Sequence, residues 1–509
     1  MADDQTNLAW DTLLDLGDPG SGPMHARLSG AVRDAIRVGR LPVGAALPPS
    51  RDMAAELKCS RWVVTEAYEQ LVAEGYVEAR VGSGTRVRHL DEAGRTAGVA
   101  GTSTGGTAGI AAAGIAAEGI AAAGIAAEGR AGRVPGEAGL TIDLAPGLPD
   151  LRHFPFTAWL ASVRTVASTL PYAEMSYPDP AGHSRLREVL AAYLTRVRGA
   201  VVDAADVTVT TGVTDGVTRA CRALRAAGVT AVAVEDPGWG RLREAAWVAG
   251  LETVPVPVDD RGLQVERLAD FPRVRAAVVS PAHQFPTGSV LAPERRAALL
   301  EWSRRVDGLI LEDDYDAEFR YDRRPVGTMQ GTDRGRVALL GSLSKTLSPA
   351  LGIGWIATPP TLTASLRATE VRPAAPPLLD QLAFADFVAS GRYDRHLRAA
   401  RKRYRARRDA LVAALERRLP DAHVSGAAAG LHLLVRFEGE LAASAVVERA
   451  AHLGVHVASM EAYRVRNRAA GTGLVLGYGN LADGEVKTAV ARLATAVSEI
   501  RSDRNRLPG

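Results

Sequence analysis

Cysteine is almost missing from this chain: Cys59 and Cys221 are the only two in 509 residues. Two distant thiols exclude a disulfide framework and lack the spacing of a metal site, which suits a reducing cytoplasm. No apolar run approaches the ~20 residues of a membrane span, and the opening Met1–Gln5 is polar and acidic, so no leader or membrane segment is expected. An excess of one charge is missing too: 61 basic and 58 acidic residues leave a net charge of +3, too little to draw the whole chain to nucleic acid or a lipid surface. Lysine is the scarcest charged residue. Lys58, Lys345, Lys402 and Lys487 are the only four, so nearly every position that wants a positive charge has Arg.

That scarcity singles out Lys345, which follows the apolar run Val337–Leu340 and the small residues Gly341, Ser342 and Ser344. Arg stays protonated in a protein, whereas a desolvated Lys can become a neutral amine and attack a carbonyl. Lys345 is therefore a candidate Schiff-base nucleophile; a solvated loop lysine is the other reading, and the neighbourhood decides.

The length suits two to four domains. Between residues 23 and 90, His25–Val38 has helical apolar spacing at Leu28, Val32, Ala35 and Ile36. Pro49–Leu57 is expected as a short helix with Ser50 at its N-cap. A turn at Cys59 leads to a longer helix, Ser60–Glu74, with Val63, Val64, Ala67, Tyr68 and Leu71 inward. Gly75–Val87 alternates and turns like a two-stranded wing. This is the order of a winged helix-turn-helix. Ten Arg or Lys against seven Asp or Glu between Met24 and Leu90 is a mild balance, so placement matters more than charge. Arg51, Arg61 and Arg86 fall at two helix starts and the wing, where phosphates pass. Ser60, Trp62 and Thr65 belong to the recognition helix, and Ser83 to the wing. A helical protein-docking domain with solvated arginines is the alternative. The run LPPSRDMAAELKCSRWVVTEAYEQLVAEGYVEARVGSGTRV resembles the GntR-type DNA-binding domain, which implies double-stranded operator DNA as partner.

From 91 to 139 bulk and charge fall away, and Gly-Ile-Ala-Ala-Ala-Gly-Ile-Ala-Ala-Glu occurs at 109–118 and again at 119–128. A five-residue period matches neither helix nor strand. A flexible linker of about 49 residues would span roughly 35–42 Å; low-complexity drift without functional length is the other reading.

From 140 to 509 apolar runs alternate with amphipathic stretches, which predicts an α/β domain with a largely parallel sheet. Strands are expected at Val207–Thr211, Ala231–Glu235, Ala276–Ser280, Gly308–Asp313 and Val337–Leu340. Each ends in a different chemical group, and such ends are where an open α/β sheet places its ligand. Lys345 would form an imine, Asp313 would hold a ring nitrogen protonated, Tyr315 would bond a ring hydroxylate and Trp239 would stack. The Gly212–Thr214 turn, Val213 included, with Ser342 and Ser344 would take a phosphate. Pyridoxal 5′-phosphate meets all of these demands.

The order of these groups resembles the fold-type I aminotransferases, which have a small C-terminal α+β subdomain. With the winged helix and linker, the chain resembles the MocR/PdxR subfamily of GntR regulators through SYPDPAG, SPAHQFPTG, LEDDYDAEFRY and LGSLSKTLSPALGIGW. The resemblance implies a head-to-tail homodimer, each DNA-binding domain over the partner's second domain, with Tyr177 contacting the neighbour's cofactor phosphate. Three positions depart from it. Gly352 stands where an Arg clamps phosphate, and Phe285 where catalytic aminotransferases have Asn. The late run Gly473–Tyr478 lacks the Arg that grips a substrate carboxylate. Arg464, Arg466 and Arg468 are close enough in sequence to substitute, and equally suit a solvated patch. The expected function is a transcription regulator that binds pyridoxal phosphate and senses the vitamer or an amino compound forming an imine with it. A working aminotransferase carrying a DNA-binding module is the alternative.

Overall fold

The computed structural model describes Trp10, Leu14, Leu16 and residues 23–80, 84–88, 142–321, 326–368, 375–426, 428–437, 441–465 and 473–504. The expectations for Ser83, the linker 91–139, Arg466 and Arg468 lie outside these residues.

The first domain runs α1 (Met24–Arg37), β1 (Ala46–Leu47), α2 (Ser50–Glu56), α3 (Arg61–Ala73), β2 (Val77–Arg80) and β3 (Gly84–Val87). The apolar spacing of α1 and α3 buries Leu28, Val32, Val64 and Leu71 completely, each contributing roughly 1.5–3 kcal/mol. Trp10 and Leu14 join the same core. Three expectations are corrected. The wing has a third strand, because β1 pairs antiparallel with β3 (Ala46↔Arg86, Leu47↔Thr85); a two-residue strand between Gly44 and Pro48 is too short to alternate visibly. Ser50 is the first residue of α2 rather than its cap: Pro49 holds the cap position without a side-chain bond, and Ser50 Oγ accepts from Arg61 Nε at 3.2 Å. Ser60, expected as the first residue of the longer helix, is instead the N-cap of α3, its side chain accepting from Val63 N.

The second domain is built on β4 (Ile142–Asp143), β5 (Val207–Thr210), β6 (Ala231–Asp236), β7 (Glu252–Asp259), β8 (Gly262–Leu263), β9 (Val274–Val279), β10 (Leu309–Asp313), β11 (Val337–Ser342), β12 (Gly354–Ala357), β13 (Ala422–Ser425), β14 (His432–Phe437), β15 (Val455–His456), β16 (Ala458–Ser459) and β17 (Gly473–Gly477). The large sheet has the order β5-β12-β11-β10-β9-β6-β7-β8. Strands β7, β6, β9, β10 and β11 are mutually parallel, and β12 is reversed between β11 and β5. Helices cover both faces, so β5, β10, β11 and β12 are buried at every residue, which is why they read as continuous apolar runs. An antiparallel sheet β13-β14-β17-β16 forms the smaller C-terminal layer, and β15 pairs with β4 to tie it to the start of the domain.

The two domains touch. Tyr76 OH donates to Gly331 O at 2.6 Å, Arg37 donates to Gly199 O and Gly331 O, and Thr332 Oγ1 donates to Glu74 O at 3.3 Å. Glu74 is held by Arg33 at 2.7 Å. At the contact a Cβ on Gly331 would lie 2.9 Å from Arg37 Nη2 of the first domain, besides 2.2 Å from Gly199 O within its own domain, and one on Gly327 would lie 2.9 Å from Glu74.

Candidate functional site

The strand ends deliver the expected side chains to one cavity of about 480 Å³. Lys345 follows β11, Asp313 closes β10, Ser280 follows β9, and Glu235 and Trp239 come from the end of β6 and its turn; all of them line the cavity. The Lys345 ammonium donates to Gly147 O at 2.5 Å and lies 5.9 Å from the centre of the Trp239 ring. Burial pushes its basicity down, against the pull of Asp316 and Asp313. A neutral amine is therefore easier to reach here than in water.

Asp313 is the reciprocal case. Burial, then Asp314, Asp316 and Glu235, hold its carboxyl well above the usual range, with Lys345 opposing. Its Oδ1 is buried without a hydrogen-bond partner among the described residues. A cationic ring N–H beside this oxygen would satisfy it and restore the carboxylate. Tyr315 lies 3.1 Å through its hydroxyl from His283 Nδ1, and His283 is held by Asp316 at 2.8 Å. This fixes the phenol at the cavity wall. Sequence reasoning missed His283 and Asp316; both lie in runs already singled out, SPAHQFPTG and LEDDYDAEFRY.

Val213 and Thr214 open the helix α4 (Val213–Ala226) after Gly212. Ser342 ends β11, where it pairs with Gly354 of β12, and Gly354 in turn abuts Gly212. Ser342 Oγ accepts from Ser344 N at 3.4 Å. These four residues therefore gather at adjoining strand ends but do not line the cavity itself. Gly352 has the left-handed φ of 57°, and a Cβ there would meet nothing within 4 Å. Tyr177 is fully exposed and outside the cavity.

Phe285 forms an apolar wall, edge-on to His432 at 5.0 Å and to Tyr463 at 4.9 Å. β17 is buried throughout and supplies no cation. Arg464 follows Tyr463, on a loop pinned by Val465 N to Asp236 at 2.8 Å, and does not line the cavity. Arg243 and Lys345 are the lining residues that carry Arg or Lys charge. Among the described residues no helix is long and apolar enough to cross a membrane.

On the first domain Arg51, Ser60, Arg61, Trp62 and Arg86 are exposed and Thr65 is half-buried. Trp62 is held edge-on by His25 at 5.6 Å, and Arg86 gives one of its five donors to Gly44 O at 3.0 Å.

The comparisons agree with this geometry. The model of bacterial regulatory proteins of the gntR family matches residues 25–87, and that of aminotransferase class I and II matches 141–493. Fold and site together define a DNA-binding transcription regulator whose second domain is an aminotransferase fold of type I. The chain is 33% identical over 489 residues to the probable rhizopine catabolism regulatory protein MocR of Rhizobium meliloti, covering 94% of this chain and 95% of that one. It is 29% identical over 475 residues to the pyridoxine biosynthesis regulator PdxR of Corynebacterium glutamicum, covering 93% and 95%. Kynurenine aminotransferase of Pyrococcus horikoshii, solved with PMP, is 25% identical with a TM-score of 0.65, covering 71% of this chain and 92% of that one. The chain belongs to the MocR/PdxR family of GntR-type regulators. Pyridoxal 5′-phosphate is the cofactor of its aminotransferase family, and the orphaned Asp313 oxygen, the buried amine and the Trp239 face fit it.

Proposed function

We propose that the second domain is the sensor of this regulator: it holds pyridoxal 5′-phosphate and reports to the DNA-binding domain on the vitamer or on a small amine that reaches it. When bound, the cofactor supplies an aldehyde and a cationic ring. In this reading Lys345 offers its amine to the aldehyde, Asp313 Oδ1 keeps a proton on the ring nitrogen, Trp239 covers the ring and Tyr315 bonds its hydroxyl. Val213, Thr214, Ser342 and Ser344 hold the phosphate by hydroxyls and the backbone N–H groups of a helix start. The observation that carries the sensor over the enzyme is the wall itself: Phe285 and β17 offer no polar grip where a turnover enzyme fixes its substrate.

The proposal extends to organisation. Residues 23–90 form the DNA-binding domain, 91–139 a tether and 140–509 the sensor. Arg51, Ser60, Arg61, Trp62, Thr65 and the wing with Ser83 and Arg86 face operator DNA. The chain forms a head-to-tail homodimer, supported by the exposure of Phe156, Leu160, Tyr172, Met175 and Tyr177 within one stretch of the chain, with Tyr172 at 92% and Tyr177 at 101%. Exposed large apolar side chains of this kind are what a partner covers. The tether's roughly 35–42 Å reach lets the domain docking be made within one chain or to the partner. Operator affinity measured with and without pyridoxal phosphate and a panel of amines tests the reading, alongside light scattering and an assay for keto-acid formation. Steady turnover with no effect on operator affinity would return the alternative of an enzyme.

A further inference from the structure

We propose that the second domain carries another ligand site, apart from the Lys345 cavity, for a compact polyanion with two or three linked phosphate groups. The inference stands independently of the sensor reading above.

It starts in the sequence. Arg395–Arg408 contains eight Arg or Lys and no Asp or Glu, and the whole stretch lies in one helix, α5 (Arg392–Arg418). Arg398, Arg401, Lys402 and Arg405 recur at spacings of three and four, so they share one face. Like charges at these spacings destabilise a helix, and an acid among them would relieve it. Asp409, the carboxylate at the end of the row, is already shared by Arg405 at 3.9 Å and Arg408 at 3.4 Å. Elsewhere in the domain half-buried arginines meet carboxylates, as Arg295 meets Asp259 and Arg304 meets Asp333. Arg398 and Lys402 have no partner among the described residues.

The row faces a pocket. The segment after β10 brings Arg320 and Tyr321 against it, and together they line a cavity of about 590 Å³, within the ~300–1,000 Å³ of small-molecule sites. Backbone carbonyls set two of the guanidiniums in place: Arg401 Nε donates to Glu318 O at 2.8 Å, and Arg320 Nη1 to Ala282 O at 3.0 Å. The five cations of the lining, less Asp409, leave it at +4. A carboxylate would neutralise one of these charges, and a single phosphate, at about −1.5 to −2, no more than half. Arg398 to Arg405 covers roughly 10.5 Å of helix, longer than one phosphate group. Linked phosphates match both the charge and the length, and each guanidinium can take two of their oxygens. Operator DNA carries the same groups, but a duplex backbone is met by cations along a track, and these converge on one pocket.

Calorimetry of the full chain tests this, with pyridoxal phosphate loaded so that the cofactor site is filled, at about 0.15 M salt. One inorganic triphosphate per chain should bind, and monophosphate about tenfold or more weakly. Arg398→Gln with Lys402→Gln removes two exposed cations and should weaken triphosphate about tenfold or more. Without ligand this double variant should melt no lower than the parent, because like charges have left the row. Arg398→Lys with Lys402→Arg, which keeps the charge, should bind as the parent does. Arg51→Ala with Arg86→Ala, on the first domain, should also leave triphosphate binding unchanged. No binding, several triphosphates per chain, or binding retained by the glutamine variant overturns the inference. A glutamine variant that melts below the parent overturns it as well, since the cations would then be held by the protein's own groups. Loss of operator affinity in that variant overturns it in favour of a DNA-backbone contact.

Discussion

Tyr76, at the base of the DNA-binding wing, and Gly331, in the second domain, are 255 residues apart and share a hydrogen bond of 2.6 Å. The loop carrying Gly331 is clamped from inside that domain, where Glu312 accepts from Met329 N and Gln330 N at 2.9 Å each. Glu312 is the neighbour of Asp313, and side chains alternate along a strand. Beyond it, Asp314 closes a buried two-point ion pair with Arg198 at 2.6 and 2.9 Å, and the carbonyl of Gly199 accepts from Arg37. One strand end thus presents Asp313 to the cavity and its two neighbours to the docking surface.

Tyr76→Phe removes the Gly331 bond, and with it the acceptor that Arg37 meets at 2.6 and 3.0 Å, without changing shape, at a cost of about 1.5–3 kcal/mol. The variant should bind operator as the parent does in the absence of effector, while the change in operator affinity produced by effector should shrink several-fold. Coupling between sites is a reciprocal free energy, so effector affinity should lose its dependence on operator to the same degree. Fluorescence anisotropy of labelled operator across an effector titration measures both. An undiminished effector response would show that this contact does not carry the signal.

How much of this was legible beforehand follows from where information sits in the chain. The strand ends could be read because each buried strand is a continuous apolar run stopping at one chemical group, as at Asp313 and Lys345. The reversed strand β12 could not: Gly354–Ala357 is as apolar as its parallel neighbours, and direction leaves no mark on composition. His283, Asp316 and His432 come together from three distant segments, so no spacing announces them. The docking of Tyr76 on Gly331 uses a glycine whose necessity appears only once the distant Gly199 backbone of the same domain is packed against it.

Lys345 gives the most direct prediction. Borohydride treatment of the cofactor-loaded protein should fix a pyridoxyl group on the peptide containing Lys345, found by mass spectrometry. Lys345→Ala should show no modified peptide and no imine absorbance band. A reducible cofactor retained in that variant would move the assignment to another amine.

Gly352 invites a gain. Its Cβ position is open and its loop leads into Gly354, which abuts the start of α4. An Arg there should add a charge-assisted phosphate contact worth about 1.5–3 kcal/mol. Against this, the left-handed φ of 57° costs roughly 1–2 kcal/mol. Gly352→Arg should therefore bind pyridoxal phosphate a few-fold more tightly, by equilibrium dialysis. Weaker binding would mean the phosphate lies elsewhere.

Asp313 links the site to stability. Its folded-state affinity for a proton exceeds that of the unfolded chain. Without cofactor, the contribution of Asp313 to stability therefore falls as pH rises from about 4, the unfolded value, towards the folded one. Cofactor-free Asp313→Asn should melt at a higher temperature than the parent at neutral pH, with the gap closing as pH approaches about 4. With cofactor the order should reverse, because an amide cannot keep the ring nitrogen protonated. Melting curves across pH with and without cofactor decide it; a cofactor-free variant that is less stable at neutral pH would show that the carboxylate is held by partners other than the cofactor.

The DNA face separates positioning from reading. Arg51 and Arg86 are exposed at the start of α2 and on the wing, and among the described residues Arg86 donates to Gly44 O at 3.0 Å. Their alanine variants should weaken binding to every sequence and reduce the salt slope by roughly one unit each. Arg61 and Trp62 open α3, which Ser60 caps and whose Val64 and Leu71 anchor it in the core, so their side chains are presented on a rigid element. Arg61→Ala should relax base preference at one position of each half-site, at about 1–3 kcal/mol, and leave random-sequence affinity nearly unchanged. The Arg61–Ser50 contact at 3.2 Å is exposed, so losing it should cost little of the fold. Footprinting and salt titrations of the three variants on operator and random DNA test both roles together. Equal losses on operator and random DNA for Arg61→Ala would show that α3 tracks the backbone and reads no bases through this residue.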